Sequence, residues 1–165
     1  MSDLRFIQLV FVKGPGFASG LIEYEGHGRF SHVASRFDDG RIFDARSDTV
    51  GGAPPGVHFR DPAYLFGEIT VPVDLPCTQD QYTAYWAFLR SCEGQGYDKW
   101  GIVGIATNTG IYDPAKKYCS ELVQLGLQPN ASGWFPHPLY IPAHLSDPNG
   151  LLNAISARMQ VTIPG

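Results

Sequence analysis

The segment from Phe30 to Arg46 constrains the fold most strongly, because it has the composition of two short strands joined by a tight turn. The halves Phe30–Phe37 and Arg41–Arg46 contain β-branched and aromatic residues, and Asp38-Asp39-Gly40 lies between them. Such a pattern is typical of a β-hairpin. We therefore predict two adjacent antiparallel strands here.

The length of the hairpin loop decides which side chains share a face. A three-residue loop, Asp38–Gly40, pairs Ala34 with Asp44, so that His32 and Asp44 become diagonal neighbours with backbones about 7–8 Å apart. A two-residue loop, Asp39-Gly40, shifts the register by one residue and turns Asp44 to the opposite face. Both registers stay open at this stage, and only the first lets a carboxylate orient the imidazole.

Two further strands are predicted on either side of the hairpin. Arg5–Lys13 has apolar side chains at both odd and even positions, which indicates a core strand covered on both faces. Glu68–Leu75 contains Pro72, which cannot donate to a neighbouring strand and therefore favours an edge position.

The first clear helical period occurs at Thr78–Glu93. Thr78 and Gln81 have the spacing of a capping box, and Gly94 is a suitable stop. One face of this helix carries Tyr82, Tyr85, Trp86, Leu89 and Cys92. Further helices are predicted at Trp100–Ala106, Cys119–Leu127 and Gly150–Arg158, loops at 14–20 and 51–56, irregular chain at 131–144, and either helix or strand at Leu21–Tyr24.

Strands that do not alternate regularly with helices indicate an α+β class. The 165 residues are enough for a single domain, 1–165, with its own core, and the 17% of charged residues excludes disorder driven by charge. A net charge of -4, with no basic run longer than Lys116-Lys117, makes a nucleic-acid partner improbable. Since every apolar run falls short of about 18 residues, we also expect no transmembrane segment.

Three cysteines without a C-x-x-C pair argue against a disulfide framework and against a zinc site, so we expect a reducing compartment and no metal or other cofactor. The N-terminus carries Asp3 where a signal peptide has basic charge. We therefore expect a cytoplasmic location, with delivery to a cell wall by another route left open.

His32 is the histidine with the strongest claim to a function. The other four, His27, His58, His137 and His144, lie in Gly- or Pro-rich stretches, where a solvated or packing role is expected. His32 lies inside a predicted strand, where an inward imidazole requires a partner.

Cys119 is the candidate nucleophile. Cys92 lies on the apolar helix face and Cys77 in the preceding loop, so both are expected to be structural. Cys119 follows two lysines at the start of a predicted helix, and both features favour a thiolate. A helix that began at Asp113-Pro114 would remove the helix-end effect. The lysine pair favours the later start, and a nucleophilic Cys119 with His32 and Asp44 as base and orienting group is then possible.

Several motifs resemble one known family, the circularly permuted NlpC-type papain-like proteins, a group that includes YiiX-like hydrolases and lecithin retinol acyltransferase. The resemblance covers about residues 5–145 and is carried by Phe30-Ser-His-Val-Ala-Ser, Ile-Phe-Asp44-Ala, Gly56-Val57, Gly96-Tyr-Asp-Lys-Trp-Gly101, Tyr118-Cys-Ser-Glu-Leu-Val123 and Ile141-Pro-Ala-His-Leu145. It implies an antiparallel sheet or small barrel packed against a few helices.

The resemblance also implies residue roles. Cys119 would attack a carbonyl carbon, His32 would transfer the proton, and Asp44 would hold the imidazole, although the third position in these proteins is often His or Glu. The backbone N–H of Cys119 would bind the oxyanion. Tyr97 would contact the substrate or the oxyanion, and Glu121 is expected to have a helix-start or packing role.

The expected activity is therefore thiol hydrolysis of an amide bond in a peptide or cell-wall-type peptide. Lipid deacylation or acyl transfer is the alternative enzyme activity, with Trp100 and the aromatic segment Trp134–Tyr140 as candidate walls of an apolar groove. A catalytically silent binding module on the same fold is the non-enzymatic alternative. The sequence predicts neither the oligomeric state nor the scissile bond.

Overall fold

A computed structural model describes residues 4–13, 30–107, 109 and 111–159. In this part of the chain the architecture is α+β, with a five-stranded antiparallel sheet in the order β4-β3-β2-β1-β5. The strands of that sheet are β1 (Arg5–Lys13), β2 (His32–Arg36), β3 (Ile42–Arg46), β4 (Gly56–Arg60) and β5 (Ile69–Cys77). Two short parallel strands, β6 (Gly96–Tyr97) and β7 (Lys116–Lys117), form a separate ladder. The helices are α1 (Gln79–Ser91), α2 (Lys99–Thr107), α3 (Cys119–Leu127) and α4 (Pro148–Met159), with 3-10 helices at Pro62–Leu65 and Ala143–Leu145.

Strand β1 lies inside the sheet, between β2 and β5, as its two apolar faces predict. Its odd-numbered residues Ile7, Leu9 and Phe11 belong to the large core that the helices cover. Val10 and Val12 pack on the opposite face in a smaller cluster. Burial on both faces explains the continuous apolar run.

Strand β5 is an edge strand, which confirms the interpretation of Pro72. It spans Ile69–Cys77, longer than the predicted Glu68–Leu75, and pairs with β1 along its whole length. Pro72 and Pro76 have no N–H to offer to a further strand, so they protect this edge from pairing with another chain.

The hairpin has the three-residue loop. Ser35 pairs with Phe43 and Arg36 with Ile42, and the Phe37 N–H donates to the Arg41 carbonyl oxygen over 2.8 Å. Gly40 has a φ of 86°, which an L side chain rarely adopts. The register that places His32 and Asp44 on one face is therefore confirmed.

The helix predictions are confirmed in position and differ slightly in length. Helix α1 begins after Thr78, whose capping box with Gln81 is formed, and its predicted apolar face is buried. Helix α3 spans the predicted Cys119–Leu127, so the alternative start at Asp113-Pro114 is wrong. Helices α2 and α4 each extend the predicted ranges by one to two residues at their ends.

The short strands β4, β6 and β7 and the 3-10 helices were not predicted. Residues 51–56 form the expected loop as far as the start of β4, and residues 131–144 are irregular except for the 3-10 helix that begins at Ala143. The predictions for 14–20 and Leu21–Tyr24 lie outside the described residues. Among the helices described, none is long and apolar enough to cross a membrane.

Candidate active site

Cys119 is the first residue of helix α3, at the end where backbone N–H groups are exposed to the site. The N–H of a first-turn residue has no acceptor inside its own helix, so it remains available to a ligand. Glu121 lies in the first turn of this helix, where the Tyr118 N–H offsets part of the rise that burial causes in its pKa. Its position in the first turn and its 3% exposure agree with the helix-start or packing role expected for Glu121.

His32 is the first residue of β2 and connects the thiol to a carboxylate. Its Nε2 donates to Asp44 Oδ2 over 2.9 Å. The imidazole is also hydrogen bonded to the thiol of Cys119. The structure thus brings together the three residues that the sequence singled out.

The thiol lies where strands β2 and β3 separate. Their ladder runs from the Arg36–Ile42 pair to the Ser35–Phe43 pair and stops there. Val33, the next β2 residue whose N–H faces β3, donates to the sulfur of Cys119 instead. The start of α3 therefore fills an opening at the end of the hairpin, and the sheet itself supplies a donor to the thiolate.

The Asp44 carboxylate accepts hydrogen bonds from three residues. Its Oδ1 accepts from Arg60 Nε over 2.7 Å, and its Oδ2 accepts from the Tyr64 hydroxyl as well as from His32. The side chains of Asp44 and Arg60 are 0% exposed. A buried carboxylate with this many donors stays ionised.

The electrostatics of the site favour a thiolate–imidazolium pair. Burial raises the pKa of Cys119, but His32 and the N–H groups of Val33 and Ser120 outweigh it, so this pKa lies below that of a free thiol. Burial lowers the pKa of His32, yet Cys119 and Asp44 raise it overall to about 9. The pKa of Asp44 is lowered despite burial, because His32, Tyr64 and Arg60 stabilise its charge.

The charge of Cys119 acts on Tyr97, whose substrate or oxyanion contact stays a prediction. Tyr97 is a half-buried residue of β6, and its pKa is raised by burial and then by the charge of Cys119. A tyrosine that keeps its proton is a hydrogen-bond donor.

The other cysteines and histidines have different surroundings. Cys77 and Cys92 are buried in the main core, and His144 stacks on Tyr112 with ring centroids 4.3 Å apart. His137 is exposed, and His27 lies outside the described residues. Across the described ranges, no group of three or more His, Cys, Asp or Glu side chains is arranged to hold a metal ion.

The aromatic segment Trp134–Tyr140 does not form a groove at its start. Trp134 and Phe135 are 1% and 3% exposed, and the Trp134 indole donates to the Pro76 carbonyl oxygen. That expectation is wrong for these two residues, because their rings complete the main core. Trp100 and Tyr140 are exposed.

Arg60 and Tyr64 are the residues that the sequence analysis missed. The alternation Val57-His58-Phe59-Arg60, with the two apolar side chains packed in or against the core, is a period-two signal that would have identified β4. Tyr64 lies on a 3-10 turn, for which no periodicity exists to be found.

No protein-family model matches this chain, and searches of curated proteins and of solved structures found no match. The geometry of the site and the motifs it contains are therefore the basis for its function.

Proposed function

We propose that this chain is a thiol hydrolase with a circularly permuted, NlpC-type papain-like fold, which cleaves an amide bond through an acyl-enzyme on Cys119. The favoured substrate is a peptide or a cell-wall-type peptide. One observation carries the proposal: a continuous buried series of hydrogen bonds connects Asp44, His32 and a thiol at the start of a helix. This is the arrangement that activates a thiol through a base held by a third group.

The topology supports the same assignment. The imidazole comes from a strand in the first half of the chain, and the sulfur comes from helix α3, which packs against β2 and β3. The order of base before nucleophile is the one expected for the permuted family. Chain order does not affect the chemistry, since the site is defined by its geometry.

The first half of the reaction forms the acyl-enzyme. The Cys119 thiolate attacks the carbonyl carbon, a carbon–sulfur bond forms, and the oxyanion receives the N–H of Cys119. The carbon–nitrogen bond then breaks, and the His32 imidazolium gives its proton to the departing amine. Asp44 holds the imidazole in place through both steps.

The second half releases the acid. Neutral His32 takes a proton from water as the water attacks the thioester, the carbon–sulfur bond breaks, and the thiolate–imidazolium pair is restored. Cys119 is 2% exposed, so acylation requires the atoms that cover the sulfur to move apart.

The pKa shifts predict the pH range of acyl transfer. Turnover should decline as the pH falls through the lowered pKa of Cys119, because the nucleophile becomes protonated. It should also decline as the pH rises through about 9, where His32 loses the proton that the leaving amine needs. A pH–rate profile with both declines would agree with the proposal, and activity that keeps rising above that range would contradict it.

Mass spectrometry of the intact protein tests the proposal. After exposure to murein fragments, peptides and phospholipids, we expect an adduct on Cys119 whose mass identifies the substrate class, with a phospholipid acyl group pointing to lipid deacylation. The Cys119→Ala variant should carry no adduct, and Cys92→Ala, which alters another buried helix-terminal thiol, should carry the wild-type adduct. A folded protein that forms no adduct with any of the three classes would instead be a binding module.

A further inference from the structure

We propose that Tyr64 and Arg60 form a clamp that holds the Asp44 carboxylate against His32, which makes them positioning residues for the proposed reaction. The inference rests on the proposed function, because the imidazole has to be held only if it exchanges a proton with Cys119. Both residues bond to Asp44, which bonds to His32, so both are placed to act through Asp44.

The clamp holds both oxygens of the carboxylate. Oδ2 accepts from His32 Nε2 and from the Tyr64 hydroxyl, whereas Oδ1 accepts from Arg60 Nε. Rotating the carboxylate would therefore break bonds on both sides. Asp44 keeps the orientation in which Oδ2 faces the imidazole.

Arg60 is itself immobilised by the loop between β3 and β4. Its side chain is 0% exposed, and all five of its N–H groups are used. Beyond Asp44, its acceptors are the carbonyl oxygens of Val50, Ala53, Pro54 and Gly56, at 2.9 to 3.0 Å. Movement of the guanidinium would leave several buried carbonyls unpaired, which is costly.

Tyr64 is aimed at Asp44 by its 3-10 helix. Asp61 caps this helix by accepting from the Ala63 N–H over 2.8 Å, and the Asp61 N–H donates to the Gly51 carbonyl oxygen over 2.9 Å. The Tyr64 ring packs against the smaller core cluster. Burial, followed by the charge of Asp44, raises the pKa of Tyr64, so its hydroxyl remains a donor.

Two possible roles of the Tyr64 hydroxyl predict opposite changes in the pKa of Cys119 when the hydroxyl is removed. A hydroxyl that holds the carboxylate helps His32 to stay charged and correctly placed, so its loss should raise the pKa of Cys119. A hydroxyl that only withdraws charge from Asp44 should have the reverse effect, since its loss makes Asp44 a stronger partner for the imidazolium. The sign of the change thus separates positioning from simple charge withdrawal.

The test is the pH profile of Cys119 alkylation by iodoacetamide in Tyr64→Phe. The matched control is Tyr85→Phe, which removes another buried hydroxyl, one bonded to Ser35 Oγ over 2.6 Å and not to the triad. We expect alkylation at slightly acid pH to slow by about threefold to tenfold in Tyr64→Phe, with its midpoint displaced to higher pH, as the loss of one buried hydrogen bond implies. The control should match the wild-type profile.

Three outcomes would overturn the inference. The first is an alkylation midpoint in Tyr64→Phe that equals that of the wild type, and the second is a midpoint displaced to lower pH. The third is a midpoint in Tyr85→Phe that is displaced as far as the midpoint in Tyr64→Phe. The alkylation profile of the wild type distinguishes failure of the clamp from failure of the proposed function. If wild-type Cys119 ionises no more readily than an ordinary thiol, the proposed function itself is contradicted, and the clamp with it.

Discussion

Cys92 and Cys119 are buried to nearly the same degree, 4% and 2% exposed, at opposite ends of two helices. Cys92 is the C-terminal cap of α1, where the partial charge of the helix is negative, and Cys119 is the first residue of α3, where it is positive. Burial raises the pKa of Cys92, whereas the pKa of Cys119 is lowered. The helix end and the neighbouring groups therefore decide the chemistry of each thiol, and exposure does not.

The groups around the two thiols also favour a lower pKa at Cys119 than at Cys92. Near Cys92, the charges of Lys117 and Glu121 act on the pKa in opposite senses. Near Cys119, the imidazolium of His32 and two backbone N–H groups all favour the thiolate. The surroundings of Cys119 thus favour the charged form of a buried thiol, and those of Cys92 do not.

Replacing His32 should abolish the difference between the two thiols. In His32→Ala, Cys119 keeps the helix end but loses its cationic partner, and we expect its alkylation at slightly acid pH to slow by about a hundredfold or more. The measurement is the labelling rate of each cysteine by peptide mass spectrometry. His137→Ala, at an exposed histidine, is the control and should label as the wild type does. Unchanged labelling of Cys119 in His32→Ala would contradict the account.

Replacing Asp44 should reduce the difference in labelling rate between Cys119 and Cys92, and it should destabilise the fold. Asp44→Asn leaves the buried Arg60 cation without its counter-charge, which typically costs about 3–5 kcal/mol. Denaturant unfolding measures this change, and the labelling ratio of Cys119 to Cys92 should fall in the same variant. Asp39→Asn, which breaks the exposed Asp39–Arg41 pair, should change the free energy of unfolding little. Equal effects of the two variants would show that the buried pair has no special role.

Glu121 should produce the smallest effect, through the pH dependence of stability. Its Oε2 has no hydrogen-bond partner among the described residues, and burial raises its pKa to about 7 from 4.5. The folded state then binds a proton more tightly than the unfolded state, so this contribution to stability is present below 4.5 and is lost as the pH rises through about 7.

The variant Glu121→Gln tests whether Glu121 makes stability fall as the pH rises. Over the same pH interval its free energy of unfolding should decline less steeply than that of the wild type. Cys92 should also label slightly faster, because a charge that raises its pKa has been removed. A steeper decline than in the wild type would mean that Glu121 ionises readily in the folded protein.

The parts of the site that depend on local structure could be predicted from the sequence. Turn residues and strand alternation predict the hairpin and limit its register to two choices, one of which brings His32 and Asp44 together, as the structure has it. The lysine pair and Pro129 bracket α3 and place Cys119 at its start. These signals lie within a few residues of the structure they specify.

The support around Asp44 could not be predicted in the same way. The partners of Arg60 are carbonyl oxygens of an irregular loop, and Tyr64 reaches Asp44 from a turn 20 residues further along the chain. Such contacts exist only after the sheet has formed. Likewise, the composition of the aromatic segment at Trp134 does not distinguish a groove from a core, and packing against α1 and β5 determines the outcome.

Competitive labelling of the three cysteines tests the central claim most directly. None of them is in a disulfide, and Cys77, Cys92 and Cys119 are 6%, 4% and 2% exposed. With limiting iodoacetamide at slightly acid pH, the account predicts that Cys119 is alkylated first and by a wide margin, because its pKa is lowered whereas those of Cys77 and Cys92 are raised. Labelling in the order of exposure, with Cys119 last, would contradict it.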